Sequence, residues 1–176
     1  MFLATPYMIL PFKSIETMSI AEANKAISAA PKKLLRDIKL FDFIMQDGAE
    51  IPGVHGIYFY FAPDAETCLY VGKNSSQQFI ERIPWHFAIS EGSWQNHFLK
   101  YFRKHHNFGT LFEAAKDIGD CHILLMPIDA ELIKNSEKFF RVFQKPQFNT
   151  LAAWGHLLNS VQLENNIKEA IQTSFK

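Results

Sequence analysis

The chain of 176 residues is poor in cysteine, in net charge and in long apolar runs. Its two cysteines, Cys68 and Cys121, both sit in apolar stretches, where buried thiols are common. One pair makes no disulfide framework, which excludes the small stapled folds of secreted proteins and fits a reducing compartment. Lys plus Arg equals Asp plus Glu at 18 each, so the formal charge is zero. Recruitment to nucleic acid or to a membrane by bulk charge is thereby excluded, and any basic footprint has to be local. No apolar run approaches the length needed to span a bilayer. Residues 1–12 are apolar, but Pro6 and Pro11 interrupt them. They also lack a basic start and a small-residue cleavage site, so no signal peptide is expected. There is no internal repeat and no low-complexity tract. These absences lead to the expectation of a soluble, cytoplasmic protein without a membrane partner.

What the chain has is bulk. Hydrophobic residues make up 48%, and 17 Phe, 5 Tyr and 3 Trp supply a core. Residues 1–50 carry six acidic and six basic side chains and read as a helical appendage. Ser19-Ile20-Ala21-Glu22 has the pattern of a capping box opening a helix to about Ala30. Pro31 can open a second helix, with Leu34, Leu35, Ile38 and Phe41 at helical spacing. The loop chemistry of residues 46–53 marks a boundary.

Beyond it the texture changes. Gly56-Ile57-Tyr58-Phe59-Tyr60-Phe61 reads as a strand, with Tyr58 and Tyr60 on one face and Ile57, Phe59 and Phe61 on the other. A turn at Pro63-Asp64-Ala65-Glu66 returns the chain through Thr67 to Val71, which predicts a hairpin. A helix follows, capped by Ser75 or Ser76, and Pro84 is expected to end or kink it. Further helices are predicted from Trp94 to His106 and from Phe112 to Ile118. Cys121 to Ile128 reads as a third strand. Asp129 caps a helix whose stripe is Leu132, Ile133, Ser136, Phe139, Phe140 and Phe143, and Pro146 stops it. A last helical region is expected toward Lys176. The order suggests an α+β fold with a small antiparallel or mixed sheet.

Taken one at a time, the polar residues have ordinary explanations. A strand tyrosine usually packs with its hydroxyl bonded, Arg82 suits a solvated helix face, Glu137 flanks its helix stripe, and Asn149 after Pro146 is turn chemistry. Order and spacing add more. Gly56-Ile57-Tyr58 and Tyr70-Val71-Gly72 resemble the paired tripeptides of the GIY-YIG nuclease superfamily, with Val in place of the second Ile. Lys73 follows, then Arg82 with His86 four residues on, Glu137 on a later helix, and Asn149 closing Lys145-Pro146-Gln147-Phe148-Asn149-Thr150. The resemblance covers Gly56 to Thr150.

That resemblance implies a three-stranded antiparallel sheet flanked by helices, and hydrolysis of DNA phosphodiesters with one divalent ion. Carried over by position, Glu137 is the single protein ligand of Mg²⁺ or Mn²⁺, a donor set that suits a hard ion keeping most of its waters. The catalytic residues it implies are Tyr58, Tyr70, Arg82, His86 and Glu137. Tyr58 serves as general base or orients the water, and Tyr70 bonds the phosphate beside it. Arg82 neutralises phosphoryl charge, and His86 positions the nucleophile or assists Tyr58. Lys73 binds phosphate or lowers a phenol pKa, and Asn149 holds the site together. A phenol near pKa 10 is a poor base at neutral pH, so cationic neighbours are required, with Lys73 and Arg82 the candidates.

Local charge supplies a DNA footprint. Residues 73–106 balance to +3 with four His, through Lys73, Arg82, Lys100, Arg103 and Lys104 against Glu81 and Glu91. Trp94, Phe98, Tyr101 and Phe102 are interleaved, which suits base stacking or plain packing. Adjacent His105 and His106 do not share a helix face, so they are no metal pair. The expectation is therefore an appendage at 1–50, a GIY-YIG-like nuclease domain at 51–152 and a C-terminal helix at 153–176. Its substrate is DNA, and a protein partner or a second copy could dock through the appendage. The alternative is a nucleic-acid-binding or protein-interaction module that keeps the fold without turnover.

Overall fold

The computed structural model describes residues 8–43, 45–46, 49–50 and 55–149. Helix α1 (Ile20–Ala29) opens as the sequence predicts: Ser19 accepts from the Glu22 amide and Glu22 accepts from the Ser19 amide. The expected second helix is absent. Lys33–Leu34 instead form a short strand, β1, followed by 3₁₀ turns at Leu35–Asp37 and Leu40–Phe43. Pairing with a central strand wins here over helical spacing of the apolar residues. Met45–Gln46 (β2) and Ala49–Glu50 (β3) form a two-stranded ribbon of their own.

The main sheet adds β4 (Gly56–Phe61), β5 (Cys68–Asn74) and β6 (His122–Pro127). Its order is β1-β6-β4-β5 and every pair is antiparallel. The α+β class expected from the sequence is the one observed, but the sheet has four strands rather than three. The fourth comes from the N-terminal segment, whose Met8 to Leu10 stretch also bonds to Leu125 of β6. Residues 1–50 are thus not wholly helical.

Helices α2 (Phe79–Trp85), α3 (His97–His106), α4 (Leu111–Asp117) and α5 (Ile133–Gln144) complete the fold. Three expectations shift at their ends. Gln78, not Ser75 or Ser76, caps α2, with Glu81 closing the box. The helix after Trp94 begins only at His97. Asp129 does not cap α5; its carbonyl accepts from Leu132 and the helix begins one turn later. The helix expected at 153–176 lies outside the described residues.

Strand alternation divides the core. One face of the sheet carries Ile57, Phe59, Phe61 and Val71 and is covered by Ile27 of α1 and by Ile133 and Phe140 of α5. The other face carries Tyr58, Tyr60 and Tyr70 and is covered by α2, α3 and α4 through Phe79, Ile83, Phe98, Phe102 and Leu111. Tyr60 stacks on Phe98 with ring centroids 4.0 Å apart and planes 9° from parallel. Both thiols are buried, and burial pushes Cys68 and Cys121 up to about 12, so they are inert apolar fillers. Among the described residues no helix is long and apolar enough to cross a membrane.

Candidate active site

The tyrosine face of the hairpin gathers most of the residues singled out by the sequence. Tyr58 does not stand directly opposite Tyr70. The register places Gly72 across from Tyr58 and sets Tyr60 against Tyr70. Tyr58 and Tyr70 are therefore diagonal neighbours, their rings 6.4 Å apart and inclined by 24°. Both rings are buried.

Helix α2 brings Arg82 and His86 onto this face. Pro84 lies inside the helix and has no N–H to give. The chain tightens instead of breaking: His86 bonds to the Ile83 carbonyl at 3.1 Å and Phe87 to the Pro84 carbonyl at 3.0 Å, both three residues back. His86 Nε2 and the Tyr58 hydroxyl are 2.7 Å apart. The Arg82 guanidinium acts on the same hydroxyl through its charge, which pulls against the rise in the Tyr58 pKa. The one-turn relation between Arg82 and His86 thus survives the proline.

Burial dominates the electrostatics. It holds the His86 imidazole well below its usual pKa, and the Arg82 and His97 charges add to the effect, so His86 is neutral at physiological pH. Its Nδ1 is buried without a partner among the described residues, as is the Tyr60 hydroxyl. Burial also drives the Tyr58 phenol far above the ordinary tyrosine value, with Tyr70 adding to the rise and Arg82 opposing it. Tyr70 is raised by burial too, against the pull of Arg141 and Arg82. The expected lowering of a phenol pKa by cations is therefore overcome by desolvation, and the cation at Tyr58 is Arg82.

Lys73 is engaged elsewhere. Alternation along β5 directs it to the side opposite Tyr70, where its Nζ lies 2.9 Å from Glu137 Oε2. Arg141 Nη2 holds Glu137 Oε1 at 2.7 Å from the next turn of α5. Glu137 was expected on the rim of its helix but is only 6% exposed, with a cation on each oxygen. Its charge still reaches the site, since it raises both Tyr58 and Tyr70 across the β5 edge. Among the described residues no three His, Cys, Asp or Glu gather in a metal-binding cluster. A hard ion that needs a single protein oxygen nevertheless fits Glu137, because the Lys73 amine on Oε2 is one-third exposed and flexible enough to withdraw.

Asn149 closes the edge. Its Oδ1 accepts from the Val71 amide at 2.6 Å and its Nδ2 donates to the Val71 carbonyl at 2.8 Å. Phe148 and Gln147 bond to Leu69 and Cys68, so residues 147–149 cover the unpaired edge of β5.

The basic helix is less available than its composition suggests. Lys100 Nζ donates to the Ser93 carbonyl at 2.6 Å, and Arg103 pairs with Glu91 at 2.7 Å. Lys104 is exposed, and Trp94 stands 73% exposed just before the helix. Sequence reasoning missed His97 and Arg141 and named Tyr101 only as an aromatic suited to stacking; with Tyr70 and Asn149 these three line a cavity of about 170 Å³ beside the tyrosines. The signal for them was weak: His97 and Tyr101 one turn apart on α3, and Arg141 one turn after Glu137. No family model, curated protein or solved structure matches this chain.

Proposed function

We propose that the chain is a divalent-metal-dependent endonuclease that hydrolyses DNA phosphodiester bonds in the manner of the GIY-YIG superfamily. The observation that carries this reading is the Tyr58–His86 hydrogen bond of 2.7 Å, with the Arg82 charge acting on the same phenol. A buried phenol flanked by a neutral imidazole and a guanidinium is more than packing requires.

The buried Tyr58 phenol is protonated at rest, so it does not act as a phenolate. Tyr58 and His86 are closed to solvent, so substrate binding has to open a path for the attacking water to the Tyr58 hydroxyl. The proton of that water then passes through the Tyr58 oxygen to the neutral His86 Nε2. Relay to an imidazole avoids a buried phenolate, the species that burial penalises most here. Arg82 stabilises the charge that builds on the phosphoryl oxygens. Tyr70 offers its hydroxyl to the same phosphate. Glu137 would hold Mg²⁺ or Mn²⁺ in exchange for its Lys73 pair, and the Lys73 ammonium would then be free to contact phosphate. When bound, the ion supplies polarisation of the phosphoryl oxygen and stabilisation of the leaving oxygen.

A second reading is favoured by one observation: both oxygens of Glu137 are already ion-paired, as in a structural carboxylate. A module that binds nucleic acid or protein without turnover would look the same. Incubation with supercoiled, linear and single-stranded DNA, with and without Mg²⁺ or Mn²⁺, separates the two. Metal-dependent nicking that Glu137→Ala abolishes supports the nuclease; retention of DNA without any cutting supports the module.

A further inference from the structure

The cavity beside Tyr70 is built by three elements that have no common packing reason to present polar groups to it. Tyr70 comes from β5, His97 and Tyr101 from α3, Arg141 from α5, and Asn149 closes the edge. The His97 and Tyr101 rings lie 6.4 Å apart and 23° from parallel along one helix face. Arg141 spends one Nη2 hydrogen on Glu137 and points Nε at the Val71 carbonyl 3.4 Å away. Of the five N–H groups of a guanidinium, those on Nη1 then have no partner among the described residues. Asn149 has both its side-chain atoms committed to Val71, so it acts as a wall rather than a ligand. Three cations and one carboxylate surround the cavity. Burial and then the charges of Arg82 and Lys100 hold the His97 imidazole below its usual pKa, and Arg141 lines the space. Glu137, itself paired with Lys73 and Arg141, raises Tyr70.

We propose that this cavity is a second anion subsite, which receives the backbone phosphate next to the one being cleaved. Arg141 and His97 hold its oxygens and the Tyr101 hydroxyl donates a third hydrogen bond. The inference rests on the nuclease reading for the identity of the phosphate, but not for the existence of the site. An isolated phosphodiester would use only the Tyr58–Arg82 position. A polynucleotide would use both, so binding energy from the neighbouring phosphate fixes the reacting one against Tyr58.

The test uses the full chain and oligonucleotides in which each phosphate flanking the cut is replaced in turn by an uncharged methylphosphonate. At one flanking position the wild type should lose roughly tenfold in kcat/KM, about the value of one charge-assisted hydrogen bond. The loss should fall on KM, with the single-turnover rate at saturation unchanged. The His97→Ala/Tyr101→Phe chain should show part of that loss with the natural oligonucleotide and, with only Arg141 left to hold the phosphate, a clearly smaller further loss with the methylphosphonate. Equal sensitivity to the replacement in wild type and variant would overturn the assignment of that phosphate. Binding is read separately by titrating inorganic phosphate against the imidazole resonances of His97. A saturable shift that Arg141→Gln removes supports the anion site, even in a chain that cuts no DNA. Absence of a saturable shift in the wild type overturns it, even in a chain that does.

Discussion

Gly72 stands directly across from Tyr58, and the space its missing side chain leaves is filled by the Tyr58 hydroxyl and ring edge. A Cβ on residue 72 would collide with Cζ, Cε2 and the hydroxyl at once. The glycine is therefore a matter of close approach, and it lets a large side chain lie flat across the neighbouring strand to reach His86.

Gly72→Ala should accordingly act on the site more than on the fold. The buried Tyr58 ring has to tilt away, breaking its contacts with His86 and Arg82, and overpacking of this kind costs about 1–3 kcal/mol. Denaturant unfolding should show a loss in that range, with metal-dependent cleavage nearly abolished. A variant with wild-type stability and cleavage would mean that Tyr58 has room elsewhere.

A second expectation concerns pH. His86 is buried and its folded-state pKa lies well below 6.5, while in the unfolded chain it protonates near 6.5. Below pH 6.5 the unfolded state therefore binds more protons, and stability falls as pH drops, by up to about 1.4 kcal/mol per pH unit for such a group. His97 contributes with the same sign. Asp42 and Asp64, held below the usual carboxylate range, act only at lower pH. The urea midpoint should fall between pH 7 and pH 5, and His86→Gln, which keeps a polar partner for Tyr58, should flatten that fall. A midpoint equally steep in the variant would show that another group titrates.

Much of this arrangement is legible in the chain because the signals are local. Alternation in Gly56 to Phe61 separates the tyrosine face from the phenylalanine face, and the capping box at Ser19 fixes a helix start, each within a few residues. What is not legible depends on distant partners. Lys33 and Leu34 form a strand because β6 offers Ile123 and His122 as an edge, and nothing within residues 31–41 reports that edge. The offset that pairs Tyr58 with Gly72 follows from the turn, where Asp64 binds Thr67 and Ala65 adopts a positive φ, together with a one-residue register shift between Tyr60 and Phe61. The reversal at Glu137 has the same origin: periodicity places it on a flank, but Lys73 lies across the sheet edge and allows the carboxylate to be buried.

That ion pair makes a prediction about metal. If Glu137 is the ligand, Lys73 competes with the ion for Oε2. Lys73→Met should then raise Mn²⁺ affinity measured by calorimetry, while Glu137→Ala removes binding and cleavage together. Because Lys73 also becomes a phosphate contact, the Lys73→Met chain should bind metal better and cut more slowly. Unchanged Mn²⁺ binding in Glu137→Ala would place the ligand elsewhere.

The sharpest separation of chemistry from structure is at Tyr58. Tyr58→Phe removes one oxygen from a buried ring whose edge contacts with Tyr60 and His86 remain possible, at centroid distances of 5.7 Å and 5.2 Å. It leaves His86 Nε2 buried without its partner, so a modest loss of stability of about 1–3 kcal/mol is expected. Strand packing and most substrate affinity should persist. If the hydroxyl relays the proton of the attacking water, the single-turnover rate should fall by about 10² to 10⁴. Saturating protein isolates the chemical step from association, and a stability measurement on the same sample excludes unfolding as the cause. A rate within about threefold of wild type would remove Tyr58 from the chemistry and transfer the proton to His86 acting directly on water, with Tyr70 as its guide.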